Sequence, residues 1–440
     1  MASAQASLIR EDRPRVRLSP VLATVLVGAA VFVGLLMPLN GPFAWWLLGA
    51  AGVGFAAWGL SAPNGVALDA ALQPIVVTLC SLGIAVVTRL DSRLGGRQAL
   101  ALLVGLAIVI AGQRWFVQYR RLAGVTYIWV AASIALFVLL RLFGQEINGA
   151  RLWFSFGSFN FQPVEIIKLF MVFFLAAYLA QNGEAIAVLR TSSLVETTRL
   201  LGPLLLGWGV SILSLVLERD IGMAILFLGV FIVMLYAASR RHDLVIAFAA
   251  IFAAGAWFVV QHFAYVQTRI AVWRDPWSDP LASGYQAEQA FFSLASGGLL
   301  GTGYHLGHPT LIPGAPTDYV FAAVGEEFGL LGGLAVLALY LALVVRGLRI
   351  AFFAADRFTA LLATGFAATL GIQVLVIVGG VIGLCPLTGI TLPFISYGGS
   401  SMVANLLMLN LLWLLSAPQT PAAASRSNGT KGGRPPKTAA

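Results

Sequence analysis

Apolar residues fall in continuous runs at 20–38, 43–60, 72–88, 98–112, 124–143, 161–181, 200–217, 221–238, 244–262, 319–345, 358–384 and 401–417. A helix needs roughly 20 apolar residues to cross a bilayer, and these runs meet or approach that length. They predict an all-α polytopic membrane protein with about 12 transmembrane helices. A transmembrane β-barrel is excluded, because its strands read as alternating segments of about ten residues. The run at 20–38 is longer than the apolar region of a signal peptide and lacks a small-residue cleavage site, so it reads as a span. No internal repeat is visible, and 263–318 is the one long segment between runs. A segment of that length inside a compact protein usually carries function.

Of the 440 residues, 59% are hydrophobic and 10% charged, with a mean hydropathy of +0.89. A soluble domain carries about 25% charged residues, so a water-soluble enzyme is excluded. The net charge of +9 could suggest a nucleic-acid partner, yet the placement of the basic residues points to topology instead. With a cytoplasmic N-terminus, 18 of the 27 Lys and Arg residues fall on inner segments and 8 on outer ones, leaving Lys168 inside a span. Inner loops are enriched in Lys and Arg, so both termini are expected in the cytoplasm and 263–318 outside. The outer cluster Arg89, Arg93 and Arg97 runs against this rule. The leader 1–19 is basic, whereas the tail 418–440 has almost nothing to bury and is expected to be disordered. Cys80 and Cys385 sit in or beside apolar runs and offer neither a disulfide framework nor a metal-ligand cluster.

Charges inside spans mark candidate chemistry, because they are costly in lipid. Glu165 and Lys168 lie three residues apart in "FQPVEIIKLF", on one helix face. They read either as a structural ion pair or as the cationic wall of a cavity for a polar or anionic head group. Glu218, Arg219 and Asp220 in "LERDIG" are squeezed between two runs, as a solvated turn or as the rim of an outward-facing site. In "PTDYVFAAVGEEFG", Pro316 and Thr317 suit a helix start and place Asp318 in its first turn, where the helix dipole favours a carboxylate. Glu326 and Glu327 follow two turns deeper and need partners or water. An outer aspartate above such a helix suits general-base work, against the plainer reading of an acidic N-terminal residue. "GTGYHLG" (301–307) lacks the preceding strand and the Lys-Ser/Thr of a phosphate loop, and His305 and His308 have no third ligand beside them. "CPLTGITLPFISYGGSS" (385–401), which holds Ser396 and Ser400, interrupts two runs with hydroxyls and glycines. It is expected to line a buried or wet cavity, or else to form a short outer hairpin.

Five segments in order carry a resemblance: "NGARLWFSFGSFNFQPVEIIKLF", "ERDIGMA", "GYQAEQAFFSLASGGLLGTG", "TDYVFAAVGEEFGLLGG" and "PLTGITLPFISYGGSS". Together they resemble the SEDS proteins (RodA, FtsW, SpoVE) over 72–417, which would be a ten-span core. Residues 20–62 then hold two extra N-terminal helices, an even number that keeps the inside–inside topology. The resemblance implies a peptidoglycan glycosyltransferase that polymerises lipid II outside the bacterial cytoplasmic membrane, with a class B penicillin-binding protein as partner. The family's essential aspartate falls on Asp318, with Tyr319 replacing a phenylalanine. Its arginine–tryptophan motif falls on Arg151 and Trp153, with Leu152 where a second arginine is usual. Its "QPSE" and lysine motif falls on Gln162, Pro163, Glu165 and Lys168, with Val164 replacing serine. Its "PDLGT" motif reads Arg219-Asp220-Ile221-Gly222-Met223, similar to an "ERDLG" variant of elongation-type members. That variant leans the expectation toward elongation over division.

The implied chemistry is glycosyl transfer. A base takes the proton of the acceptor hydroxyl, and cations stabilise the departing pyrophosphate. Asp318 is the candidate base, with Lys168, Arg151 and Arg219 as candidate cations and single displacement as the route. Trp153, Gln162, Glu165, Asp220, Glu326, Glu327, Ser396 and Ser400 complete the expected substrate-binding set. A divalent cation, magnesium or manganese, could assist, although no residue pattern specifies one. The competing readings are a flippase that moves lipid II across the bilayer and a scaffold that only holds the penicillin-binding partner.

Overall fold

The computed structural model of the chain describes residues 42–61, 68–147, 150–157, 159–189 and 194–417. The leader, the run at 20–38 and the tail 418–440 lie outside these residues. Every other apolar run forms a helix: α1 (Pro42–Leu60), α2 (Leu72–Leu90), α3 (Ser92–Phe116), α4 (Thr126–Phe143), α5 (Val164–Val188), α6 (Leu194–Leu217), α7 (Ile221–Ser239) and α8 (His242–His262). After the long segment come α11 (Val320–Phe352), α12 (Arg357–Val381) and α13 (Gly399–Leu415). Among the described residues, 9 helices are long and apolar enough to cross a membrane, and α13, with 17 residues, falls just short. Aspartates mark several of the starts. Asp91 accepts from the Arg93 and Leu94 amides, Asp220 from Met223 and Asp356 from Thr359, which satisfies amides that have no partner inside the helix. The helices α5 and α12 are the most buried spans, and α4 and α8 the most outward-facing.

At the centre, the Lys168 ammonium donates to Glu165 at 2.7 Å, to Asn405 at 3.2 Å and to Gln373 at 3.3 Å. Asn405 donates to Ser401, which contacts Thr391 at 2.8 Å. Three helices, α5, α12 and α13, are thus stitched together by one network in which each partner offsets the cost of burying the others.

The long segment is not a structureless loop. It folds into α9 (Ala264–Arg274) and α10 (Tyr285–Gly297), followed by tight turns. The helix α11 that follows is broken at Gly329, where φ is 68° and ψ is −170°. A β-carbon there would stand 2.2 Å from the Gly301 amide nitrogen, so only glycine allows the approach. The segment 298–303 replaces the helical bonds lost at the break. Leu330 and Leu331 donate to the Gly298 and Leu299 carbonyls, while Thr302 and Gly303 donate to those of Glu326 and Glu327. "GTGYHLG" is therefore a clasp around a broken helix.

Two features depart from a purely helical expectation. Three short strands, β1 (Gln145–Ile147), β2 (Ala150–Phe156) and β3 (Phe159–Phe161), form a small antiparallel sheet of order β1-β2-β3. Between α12 and α13, residues 383–398 are non-helical and yet largely buried from Ile390 to Ser396. Buried backbone needs partners, and here they come from side chains. Gln98 donates to the Ser396 carbonyl and accepts from the Gly398 amide, Gln373 donates to the Thr391 carbonyl, and the Tyr340 hydroxyl donates to Pro393. The buried, non-helical wall expected of this re-entrant-like segment is thus present.

Candidate active site

Asp318 does not lie in the first turn of α11. The helix begins at Val320, and Asp318 belongs to the preceding turn, where its amide donates to the Gly314 carbonyl at 3.1 Å. The re-entrant segment holds that turn in place. The Ser396 hydroxyl donates to the Thr317 carbonyl at 2.6 Å, and the Tyr397 amide donates to the Pro316 carbonyl at 2.7 Å. A second hydrogen bond to Ser396, from the Leu392 amide at 2.9 Å, fixes its hydroxyl in turn. The position of Asp318 is therefore set by tertiary bracing and not by a helix terminus.

Asp318 lines a cavity of about 200 Å³ together with Arg269, Trp273, Gln286, Cys385 and Gly389, among others. The wall is built from α9, α10 and the first part of the α12–α13 connection. Trp273 donates to the Gly383 carbonyl at 2.9 Å, and Arg269 to the Leu387 carbonyl at 3.2 Å, so α9 is tied to the connection at two levels. Gln286 ties α10 to the Pro313 carbonyl at 3.2 Å. Burial pushes the Asp318 carboxyl above the usual carboxylate range, and it outweighs the opposing pull of the Thr317 side chain and of the Arg269 charge. Burial likewise raises the neighbouring Tyr319 phenol to about 12, so it stays protonated.

Arg269 stands at the electrical centre of this region. Its charge acts on Asp318, Tyr319, Tyr265 and Asp220. The first turn of α7 packs at Gly222 against Thr388 and Ile390, on either side of Gly389. That contact brings the α7 cap, Asp220, toward the same wall, and burial raises its carboxyl to about 6. In the sequence Arg269 reads only as one outer Lys or Arg residue among eight. No motif marked it, because its neighbours across the cavity are distant in the chain.

The other expected binding residues lie outside the cavity lining. Lys168 and Glu165 are committed to each other, with side chains 1% and 4% exposed. Arg151, on β2, donates to the Arg141 carbonyl at 3.2 Å, and Trp153 on the same strand pairs with Gln145. Arg219 stands over the Tyr265 ring at 5.7 Å. The Gln162 amide donates to Ser400 at 2.9 Å, joining the start of α5 to that of α13. Glu326 accepts from the His308 amide at 2.6 Å, and Glu327 pairs with Arg89 at 3.2 Å, so both serve the clasp and neither reaches Asp318. Among the described residues, no three His, Cys, Asp or Glu side chains are grouped to hold a metal, and no set is assigned to a divalent cation.

A family model described as "Cell cycle protein" and named for FtsW, RodA and SpoVE matches residues 66–420. The peptidoglycan glycosyltransferase RodA of Mycobacterium tuberculosis is 38% identical over 364 residues, covering 79% of this chain and 78% of that protein. The probable peptidoglycan glycosyltransferase FtsW of Geobacter metallireducens is 32% identical over 318 residues, covering 72% of this chain and 83% of its own length. A solved structure described as "Structural coordination of polymerization and crosslinking by a peptidoglycan synthase complex" superposes with a TM-score of 0.65 at 32% identity, over 80% of this chain and 98% of that one. The crystal structure of the rod shape determining protein RodA of Thermus thermophilus gives 0.59 at 29% identity, over 80% and 98%. The match takes in the ten helices α2 to α8 and α11 to α13, the clasp and the Asp318 cavity alike, and the chain belongs to the FtsW/RodA/SpoVE family.

Proposed function

We propose that this peptidoglycan glycosyltransferase polymerises lipid II at the outer face of the bacterial cytoplasmic membrane, with Asp318 as the general base. One observation carries the reading: Asp318 is held in a cavity between the bundle and the long segment, and Arg269 lines the same cavity. Lipid II has a polyprenyl tail that stays in the bilayer and a sugar–peptide head on a pyrophosphate. A polar cavity at the end of an apolar bundle suits such a molecule. The excess of Lys and Arg on the opposite segments supports an outward position for this cavity and cytoplasmic termini.

The acceptor hydroxyl attacks the anomeric carbon of the donor as its proton passes to the Asp318 carboxylate. The bond from that carbon to the pyrophosphate oxygen breaks, and a single displacement inverts the linkage. A raised pKa suits this work, since a base is most effective when its pKa approaches the operating pH. Ser396 and Tyr397 position Asp318 through the 316–317 backbone, and the Lys168 network holds the frame behind them. The likeness to a peptidoglycan synthase complex supports a class B penicillin-binding protein as partner, and the similarity to RodA proteins supports a role in elongation.

Purified protein incubated with lipid II and its partner tests the reading. Glycan strands are expected from the wild type and not from Asp318→Asn. Transbilayer movement of lipid II without strands would make the chain a flippase, and neither outcome would leave a scaffold. Depletion should round the cells; filamentation would indicate division instead.

A further inference from the structure

We propose that Arg269 is the group that receives the pyrophosphate of the polyprenyl-linked donor. The proposal deepens the reading of the Asp318 cavity and rests on it. Among the described residues, Arg269 is the one cation lining that cavity. A β-carbon on Gly389 would stand 3.7 Å from its Nη2 and 3.8 Å from Oδ2 of Asp318, so both side chains border the same gap, left by a missing methyl group. They do not close into an ion pair. An arginine present only to neutralise Asp318 would close that gap. This one is instead held by the Leu387 carbonyl through Nη1, which uses one of its five N–H donors.

The cations that the sequence marked, and Arg89, are occupied elsewhere. Arg89 pairs with buried Glu327, Arg151 bonds to the Arg141 carbonyl, and Arg219 lies over Tyr265. Lys168 is enclosed by Glu165, Gln373 and Asn405. Guanidinium suits the remaining task, because its planar fork matches phosphate oxygens two at a time and it stays charged when partly desolvated. The placement also suits the reaction. A displacement needs both a base and a group that stabilises the leaving oxygen, and Asp318 and Arg269 are the acid and the cation lining this one cavity. The proton goes to Asp318, and the electron pair of the broken bond goes to the pyrophosphate oxygen, whose added charge Arg269 meets.

Binding of farnesyl pyrophosphate and of farnesol to the full chain in detergent tests this without turnover. The wild type should bind the pyrophosphate about tenfold more tightly or better, the effect of one well-made charged hydrogen-bonding group. Arg269→Gln should erase that preference while still binding farnesol, and Arg269→Lys should keep part of it. Asp318→Asn should not lower the preference, because it removes a negative charge from the cavity that would hold the pyrophosphate. Equal binding of the two compounds by the wild type, or an undiminished preference in Arg269→Gln with farnesol binding intact, would overturn the proposal. Should Arg269→Gln fail to bind farnesol as well, Arg269→Lys decides by whether the preference falls. Polymerisation by Asp318→Asn would instead sink the assignment of the base, which these binding measurements do not touch.

Discussion

Arg89, in the last turn of α2, holds its Nε 3.2 Å from a Glu327 carboxylate oxygen whose side chain is 1% exposed. The same guanidinium donates to the Gly307 carbonyl at 3.1 Å. Glu327 lies two residues before the Gly329 break, so Arg89 ties α2, the clasp and the upper half of α11 at one point. The arginine that runs against the inner–outer charge rule is there to neutralise a buried acid.

Removing one partner of a buried pair leaves an uncompensated charge, at a cost of about 3–5 kcal/mol. Arg89→Ala should therefore lower the melting temperature and the yield of folded protein. Arg89→Met with Glu327→Gln should recover most of both. Thermal unfolding followed by size exclusion measures this, and an unchanged melting temperature in Arg89→Ala would show that water already solvates Glu327.

The same reasoning applies to Lys168 and Glu165, with a different expectation for activity. Lys168→Ala should cost about 3–5 kcal/mol for the same reason. Because the pair lies outside the Asp318 cavity, Lys168→Met with Glu165→Gln should restore polymerisation along with yield. Folded double mutant that makes no strands would mean that Lys168 reaches substrate.

Asp318→Asn should reduce polymerisation by about 10²–10⁴-fold, the usual contribution of a general base. Its raised pKa fixes the sign of the pH effects. The carboxyl must be ionised to act, so wild-type activity should fall on acidification through a limb above the ordinary value of about 3.9. Folding favours the neutral form, so the stability linked to this group is present at low pH and lost as pH rises through the folded pKa. Asp318→Asn should consequently melt no lower than wild type at neutral pH. A rate that stays constant on acidification down to the ordinary carboxylate range would contradict the assignment.

Gly389→Ala tests the gap that Asp318 and Arg269 border. Gly389 has φ +77°, a left-handed conformation that costs an L-residue roughly 1–2 kcal/mol, and the new methyl would touch both side chains. At 3.7–3.8 Å the methyl displaces neither side chain but fills the space beside both of them, so strand formation should fall far more than stability does. Wild-type rates in Gly389→Ala would show that the gap is not where reaction occurs. Turnover and melting temperature of the same preparation separate the two effects.

Much of this was legible before folding. Continuous apolar runs imply helical spans whatever their neighbours, because a backbone in lipid must satisfy its own hydrogen bonds. Eleven of the twelve runs are helices, and the twelfth lies outside the described residues. The Glu165–Lys168 pair was legible for a similar reason, since three residues along a helix put both groups on one face. Asp318 stood out as an acid beside a long apolar run, but its environment did not. The sequence suggested a helix dipole that would keep it ionised, whereas burial against α9 and the re-entrant segment raises its pKa instead. Arg269, Gly389 and the Arg89–Glu327 contact were equally hidden, for a shared physical reason. The state of a charge depends on which atoms exclude water around it and which opposite charges remain in reach. Here those atoms come from segments far apart in the chain, and only the tertiary packing of α2, α9, α11 and the α12–α13 connection brings them together.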